Sequence, residues 1–249
     1  MRSGPRRPLA AGPVLLALVL ASSPGAAHAG DVKVEWDLDL AFEWDRANYE
    51  RELGALVQDG LAAASGYLGF GRDAPLSVRV LTKARYEAQF GTQAVWNQGA
   101  HYSRGAIFVN GGRRLDDHMA RLLRHEMVHA VLDHAGTGHR LPTWLNEGLA
   151  VRVASPGPLD TTEVQELEVA LEGHALTPLP HGGPLTRFGY LQSRSAVVFL
   201  EQKLGRETLL AVVRRTLDGR GFERALADET GWTQQKVEDD FRYWVDHLQ

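Results

Sequence analysis

Hydrophobic residues recur at helical spacing in the first long segment of the chain. Between Trp44 and Phe70 they return about every 3.6 positions, which predicts an amphipathic helix that ends among closely spaced glycines. The segment Leu76–Leu81 then alternates apolar and polar positions, so a strand is predicted there. A short polar helix near residues 83–90 and a second strand at Gly105–Asn110 should follow.

Helical spacing dominates the second half of the chain. An apolar stripe between Leu115 and Ala135 predicts a long central helix, with Asp116 or Asp117 as its N-terminal cap. A short helix is expected to begin at Thr143, directly after Pro142. Further helical segments are predicted near residues 161–174, 192–204, 206–217 and 233–247. These elements indicate an α+β fold in which a small N-terminal sheet and a central helix precede a helical C-terminal half.

The first 29 residues have the pattern of an export signal. A cationic start is followed by the apolar stretch Leu9–Ala21 and by Ala27–Ala29, a small-residue cleavage site. The apolar stretch is short for a membrane span, and an uncleaved membrane anchor is the alternative. We therefore expect an exported protein, periplasmic or extracellular, that is not stably inserted in the membrane after cleavage. Residues 30–249 should form a single domain, with a cleft between residues 30–135 and 136–249.

Charge and cysteine content exclude several classes of function. Without the three arginines of the predicted signal, 24 basic residues face 31 acidic ones, a net charge of −7. Such a chain has no basic surface for nucleic acid, so no nucleic-acid partner is expected. The chain has no cysteine, which excludes thiol nucleophiles, iron–sulfur clusters and cysteine-rich zinc sites. Any metal site must therefore use histidine and carboxylate ligands.

The predicted central helix contains the motif H-E-x-x-H, at His125–His129. Residues four apart lie one turn above each other, so both imidazoles can bind the same Zn²⁺. Glu126 is rotated about 100° from His125 around the helix and can reach the remaining coordination position. Histidines without a metal are the alternative, because the bare motif is only moderately specific.

A catalytic zinc usually has three protein ligands and one open position. Glu147 is the best third ligand, because it lies 18 residues after His129 in a short helix with an apolar side for packing. The glycines and Pro142 between the two helices allow the chain to reverse. The competing donors are Asp133, His134 and His139.

Together, the motif His125–His129 and the segment Leu141–Ala150 resemble the gluzincin metallopeptidases. The similarity is closest to the peptidase MA-like bacterial domains, in which a W-L-x-E-G-x-A helix follows the zinc-binding helix. The resemblance implies a zincin-like fold and one Zn²⁺ per chain, held by His125, His129 and Glu147. One position departs from thermolysin-type enzymes, which carry an acidic residue four positions after the third ligand. Here that position is Val151, so the side chain that orients a metal ligand is missing or comes from elsewhere.

The activity implied by this resemblance is zinc-dependent hydrolysis of peptide bonds in a peptide or protein substrate. Glu126 would take a proton from the attacking water and return it to the leaving amine. Tyr190 is the candidate oxyanion donor, because the resemblance places a tyrosine there, just before a helix; an ordinary packing tyrosine is the alternative. By analogy with zincins, substrate would pair with an edge strand at Ala106–Asn110. The competing hypothesis is a zinc-binding but catalytically inactive module with a structural or interaction role in the cell envelope.

Overall fold

A mixed β-sheet lies in the N-terminal half of the protein. The computed structural model describes residues 17–19, 32–36, 46–91, 99–136 and 140–248, and within these ranges five strands form one sheet. The strands are β1 (Ala17–Val19), β2 (Val32–Trp36), β3 (Leu76–Leu81), β4 (Ala100–Ser103) and β5 (Ala106–Asn110), in the spatial order β1-β2-β3-β5-β4. β2, β3 and β5 run parallel, whereas β1 and β4 are antiparallel to their neighbours.

Helices make up most of the remaining described chain. They are α1 (Arg46–Leu68), α2 (Lys83–Phe90), α3 (Asp117–Gly136), α4 (Thr143–Ala154), α5 (Thr161–Glu172), α6 (Arg187–Leu204), α7 (Arg206–Arg215), α8 (Phe222–Thr230) and α9 (Gln234–Val245). A π-helical turn, Thr216–Arg220, follows α7. The predicted α+β architecture, a small sheet followed by a helical half, is confirmed.

The strand β5 is buried on both faces, and this explains its apolar run. All five residues of β5 are buried. Ile107 and Val109 belong to the main core, whereas Phe108 packs with Tyr86 of α2 in a smaller cluster on the other face. A strand covered on both sides has no solvated face, so its sequence is continuously apolar instead of alternating. On the main-core side α3 contacts β4 and β5, and α1 packs along α3.

Several details differ from the sequence-based expectations. The strands β1, β2 and β4 and the helix α8 were not predicted, and α6 begins at Arg187 instead of near residue 192. Tyr190 therefore lies inside α6, not ahead of it. The expected substrate edge at Ala106–Asn110 is wrong, because β5 pairs with β3 on one side and with β4 on the other. β4 forms this edge of the sheet.

β4 reaches that edge through a tight hairpin. Ser103 pairs with Ala106, so the loop consists of Arg104 and Gly105 alone. Their φ values are 50° and 80°. Positive φ at both loop residues is the geometry of a two-residue turn whose twist matches that of the flanking strands.

The predicted export signal falls largely outside the described residues. Within it, the structure describes β1, whereas the cleavage site at Ala27–Ala29 is not among the described residues. In the described part of the chain, no helix combines the length and the apolar character that crossing a membrane requires.

Candidate active site

The helix α3 presents two histidines to a cleft. Asp116 caps this helix, as predicted: its side chain accepts a hydrogen bond from the backbone N–H of Met119 at 3.0 Å. Met127, Val128 and Val131 are fully buried and fix which side of α3 faces the core. His125 and His129 lie on the other side, with only 15% and 13% of their side chains exposed.

The helix α4 brings Glu147 to the same place. Trp144 and Leu145 are completely buried and anchor the first turn of α4. Gly148 then allows α4 to approach α6 very closely, since a Cβ at this position would lie 2.4 Å from the carbonyl oxygen of Ser193. The close contact between α4 and α6 sets the position of α4, and Glu147 consequently faces α3.

Three donor atoms converge between α3 and α4. The Nε2 atoms of His125 and His129 are 3.1 Å apart. Glu147 Oε2 lies 3.2 Å from His125 Nε2 and 3.5 Å from His129 Nε2. Two ligands at about 2.0–2.1 Å from a tetrahedral zinc are separated by about 3.3 Å. The three donors therefore have the spacing of one face of a zinc coordination tetrahedron, and they form the one group of this kind in the described residues.

The electrostatics of this triad also fit a cation. Glu147 Oε2 is buried, and among the described residues no donor is aligned to hydrogen-bond it. Burial would raise the pKa of Glu147, but the imidazoles of His129 and His125 outweigh burial and hold that pKa well below its usual range. Burial would likewise lower the pKa of His129, but the Glu147 carboxylate outweighs it and raises the pKa to about 9. The site thus favours positive charge next to Glu147, which a metal ion can supply in place of a proton.

Asn146 orients one of the histidines. Its Oδ1 lies 3.1 Å from His129 Nδ1, so the imidazole donates a hydrogen bond from that nitrogen. In the neutral imidazole that binds a metal, this contact selects the tautomer in which Nε2 carries the lone pair. Position 151, where thermolysin-type enzymes carry an acidic residue, is a valine, and Asn146 was not predicted as the partner of a histidine. The only signal was an amide beside Glu147 in an otherwise apolar stretch of α4.

Glu126 is buried and connected to the edge strand. Only 6% of the residue is exposed, and its Oε2 accepts a hydrogen bond from the backbone N–H of Tyr102 at 2.7 Å. The Tyr102 hydroxyl donates a second hydrogen bond, at 2.5 Å, to Asp133 Oδ2. Tyr102 therefore ties β4 to α3 at two points on either side of His129. Sequence reasoning missed this residue because it missed β4.

All the predicted site residues line one cavity of about 400 Å³. Its lining includes the triad together with Glu126 and Tyr190. The Tyr190 ring lies 6.2 Å from that of His125. Burial, helped by the charges of Glu147 and Glu126, raises the pKa of the Tyr190 phenol to about 12. The phenol is consequently an O–H donor at neutral pH.

Two of the three alternative third ligands, Asp133 and His134, do not join the triad. Asp133 lines the cavity, but the Tyr102 hydroxyl occupies its Oδ2. His134 is exposed and lines a different cavity, near Phe70. His139 lies outside the described residues.

Comparison with known proteins identifies the family to which this sequence is similar. Residues 57–247 match the sequence model of the Peptidase MA superfamily. The search of curated proteins gave no match.

Among solved structures, the fold is similar to that of an M1 zinc metallopeptidase from Deinococcus radiodurans, with a TM-score of 0.53 and 16% identity over 94% of this chain and 52% of that chain. It is also similar to a two-domain M1 zinc metallopeptidase, solved as a mutant bound to L-tryptophan, with a TM-score of 0.52 and 15% identity over 94% of this chain and 52% of that one. This chain spans about half the length of the solved structures that it matches. At such low identity, these similarities show the fold alone.

The family match covers most of the chain and includes both motif-bearing helices, α3 and α4. It also includes every residue that lines the candidate site. The chain therefore belongs to the peptidase MA superfamily and has the architecture of a zinc metallopeptidase.

Proposed function

We propose that this protein is an exported zinc metallopeptidase that hydrolyses peptide bonds. One observation carries the proposal: His125, His129 and Glu147 converge at the spacing that zinc requires, and Glu126 lines the same cavity. Zinc is the expected metal because imidazole nitrogens and one carboxylate suit it, and because the similar solved structures are zinc metallopeptidases. One ion per chain would be held by this single triad.

When bound there, zinc supplies Lewis-acid activation of water and of the scissile carbonyl. Glu126 is the proposed general base and acid. One carboxylate oxygen is held by the Tyr102 N–H, which leaves the other free to accept a proton from the attacking water. The same oxygen can return that proton to the leaving amine.

Tyr190 is the proposed donor to the developing oxyanion. It lines the cavity beside His125, and its raised pKa of about 12 keeps the hydroxyl proton in place at neutral pH. Asn146 has a supporting role, because its hydrogen bond fixes the orientation of His129.

Export remains a proposal that rests on the N-terminal sequence. The cationic start, the apolar stretch and the small-residue site at Ala27–Ala29 support a cleaved signal. The superfamily supports peptides or proteins as the substrate class.

The decisive variant is Glu126→Gln, which removes the base but preserves shape. We expect it to keep its zinc and to lose peptide hydrolysis by at least about 100-fold, the range for general acid–base catalysis. Cleavage is read by mass spectrometry on a mixed peptide library, and zinc is measured in the same sample. Glu168→Gln, the same change at an exposed position on α5, is the matched control and should retain activity.

Two outcomes would contradict this proposal. Equal cleavage by the parent and by Glu126→Gln would exclude Glu126 as the base. Stoichiometric zinc without cleavage of any peptide would exclude the activity and favour the inactive zinc-binding module.

A further inference from the structure

A second cavity of about 190 Å³ adjoins the candidate active site. The two cavities share three lining residues, His125, Glu126 and Tyr190. A group bound in the second cavity would therefore lie directly beside the residues proposed to act in hydrolysis. In a bound peptide, a side chain next to the cleaved bond would be close enough to enter the second cavity.

The second cavity combines an apolar floor with a basic rim. Leu122, Val151 and Ala154 contribute apolar surface. The basic rim consists of His118, Arg121 and Arg187. Among the described residues that line this cavity, Glu126 is the one carboxylate.

This positive rim is a local exception in an acidic protein. The whole chain has a formal net charge of −4. Long-range electrostatics therefore do not attract anions to the molecule in general, and any preference for an anion must arise locally. Arg121 and Arg187 come from different helices, α3 and α6, that face each other across the cavity.

Arg121 is the most available of the basic groups. Within the described part of the chain, no carboxylate lies at ion-pair distance from its guanidinium. Arg187 is exposed and pairs with Glu166 at 2.7 Å, so its charge is partly compensated. Arg124, three residues further along α3, pairs with Asp59 of α1 at 2.8 Å and does not line the cavity.

We propose that the second cavity is a specificity subsite for a carboxylate on the residue that flanks the cleaved bond. Arg121 is its main determinant, with His118 and Arg187 in support. The apolar floor accommodates the methylene groups of a glutamate or aspartate side chain, while the basic rim binds the carboxylate. A free C-terminal carboxylate has the same chemistry and is the second source that the test must separate. The assignment rests on the proposed peptidase function.

Binding to the zinc-loaded Glu126→Gln protein tests the subsite without depending on turnover. The probes are fluorescently labelled alanine hexapeptides that carry one Glu, Gln or Lys, placed at each position in turn, with an amidated or a free C-terminus. Fluorescence anisotropy should show the best Glu peptide binding about two- to fivefold more tightly than its Gln counterpart, the range for an ion pair at a partly exposed site. The difference should shrink at high salt, because salt screens partly exposed charges.

Three second-site variants in the Glu126→Gln background localise the effect. Arg121→Gln should remove most of the preference for Glu over Gln. Arg121→Glu should reverse it in favour of the Lys peptide. Arg124→Gln removes the same charge from the same helix outside the cavity, and it should keep the preference.

The outcomes separate this inference from the proposed function. Equal binding of Glu and Gln peptides, or a preference that Arg121→Gln leaves undiminished, overturns the subsite even if the parent protein cleaves peptides. An Arg121-dependent preference in a protein that cleaves nothing supports the subsite and overturns the activity. Tighter binding that follows the free C-terminus, and not the Glu side chain, identifies the C-terminal carboxylate as the group recognised.

Discussion

Replacing Gly148 by alanine should weaken zinc binding, although Gly148 is not itself a metal ligand. A Cβ at this position would lie 2.4 Å from the Ser193 carbonyl oxygen and 2.8 Å from Val197 Cγ2. Neither neighbour can rotate away easily, because the first is backbone and the second is a buried side chain on α6. To reach an ordinary contact of 3.4 Å, α4 must move away from α6 by about 1 Å.

That displacement is large for a metal ligand. Coordination distances in a working site stay within about 0.2 Å of their ideal values, and Glu147 is the neighbour of Gly148 in α4. We therefore expect zinc affinity to fall about ten- to 100-fold, as for other changes that misplace a ligand. The free energy of unfolding should also fall, by about 1–3 kcal/mol, the usual cost of overpacking.

Competition with a chromogenic chelator measures the zinc affinity, and urea unfolding of the metal-free protein measures the stability. Gly66→Ala is the matched control. Gly66 is an exposed glycine in α1, and a Cβ added there would have no atom within 4 Å. This control should be stabilised by about 0.5–1 kcal/mol with unchanged zinc affinity. Unchanged zinc affinity in Gly148→Ala would refute the argument that the contact between α4 and α6 positions Glu147.

Three further substitutions test the contacts of the site. Asn146→Ala should weaken zinc binding about tenfold or more, because His129 loses its orienting partner, and an unchanged affinity would remove Asn146 from the site. Tyr190→Phe should lower kcat about 100-fold or more with little change in KM, as the loss of an oxyanion donor does; a change in KM alone would contradict this role. Tyr102→Phe removes the hydrogen bond to Asp133 and should lower the free energy of unfolding in urea by about 1.5–3 kcal/mol, whereas a neutral result would show that this bond does not hold β4 on α3.

The sequence predicts those parts of the fold that local patterns determine. The strand Leu76–Leu81 and the helix Lys83–Phe90 were predicted with their observed bounds. In α3 the spacing of His125 and His129 was informative, because a helix converts a spacing of four residues into a shared face. The prediction of Glu147 followed from the same reasoning, applied to a second helix with one apolar side.

The parts that were missed depend on tertiary contacts. β4 has only four residues and no clear alternation, and it is held in place by β5 and by the contacts of Tyr102 with α3. The partner of His129 could not be deduced from spacing either. Asn146 reaches that imidazole because of the way α4 packs beside α3. The close contact of Gly148 with Ser193 sets this position of α4.

The central claim is that His125, His129 and Glu147 hold one zinc ion. Its most direct test is the zinc content of the purified protein by mass spectrometry, measured beside His129→Ala and His134→Ala. His134 is the matched control, an exposed histidine on the same helix that lies outside the triad. We expect one zinc per chain in the parent and in His134→Ala, and almost none in His129→Ala. Absence of zinc from the parent, or full retention of zinc by His129→Ala, would contradict the claim.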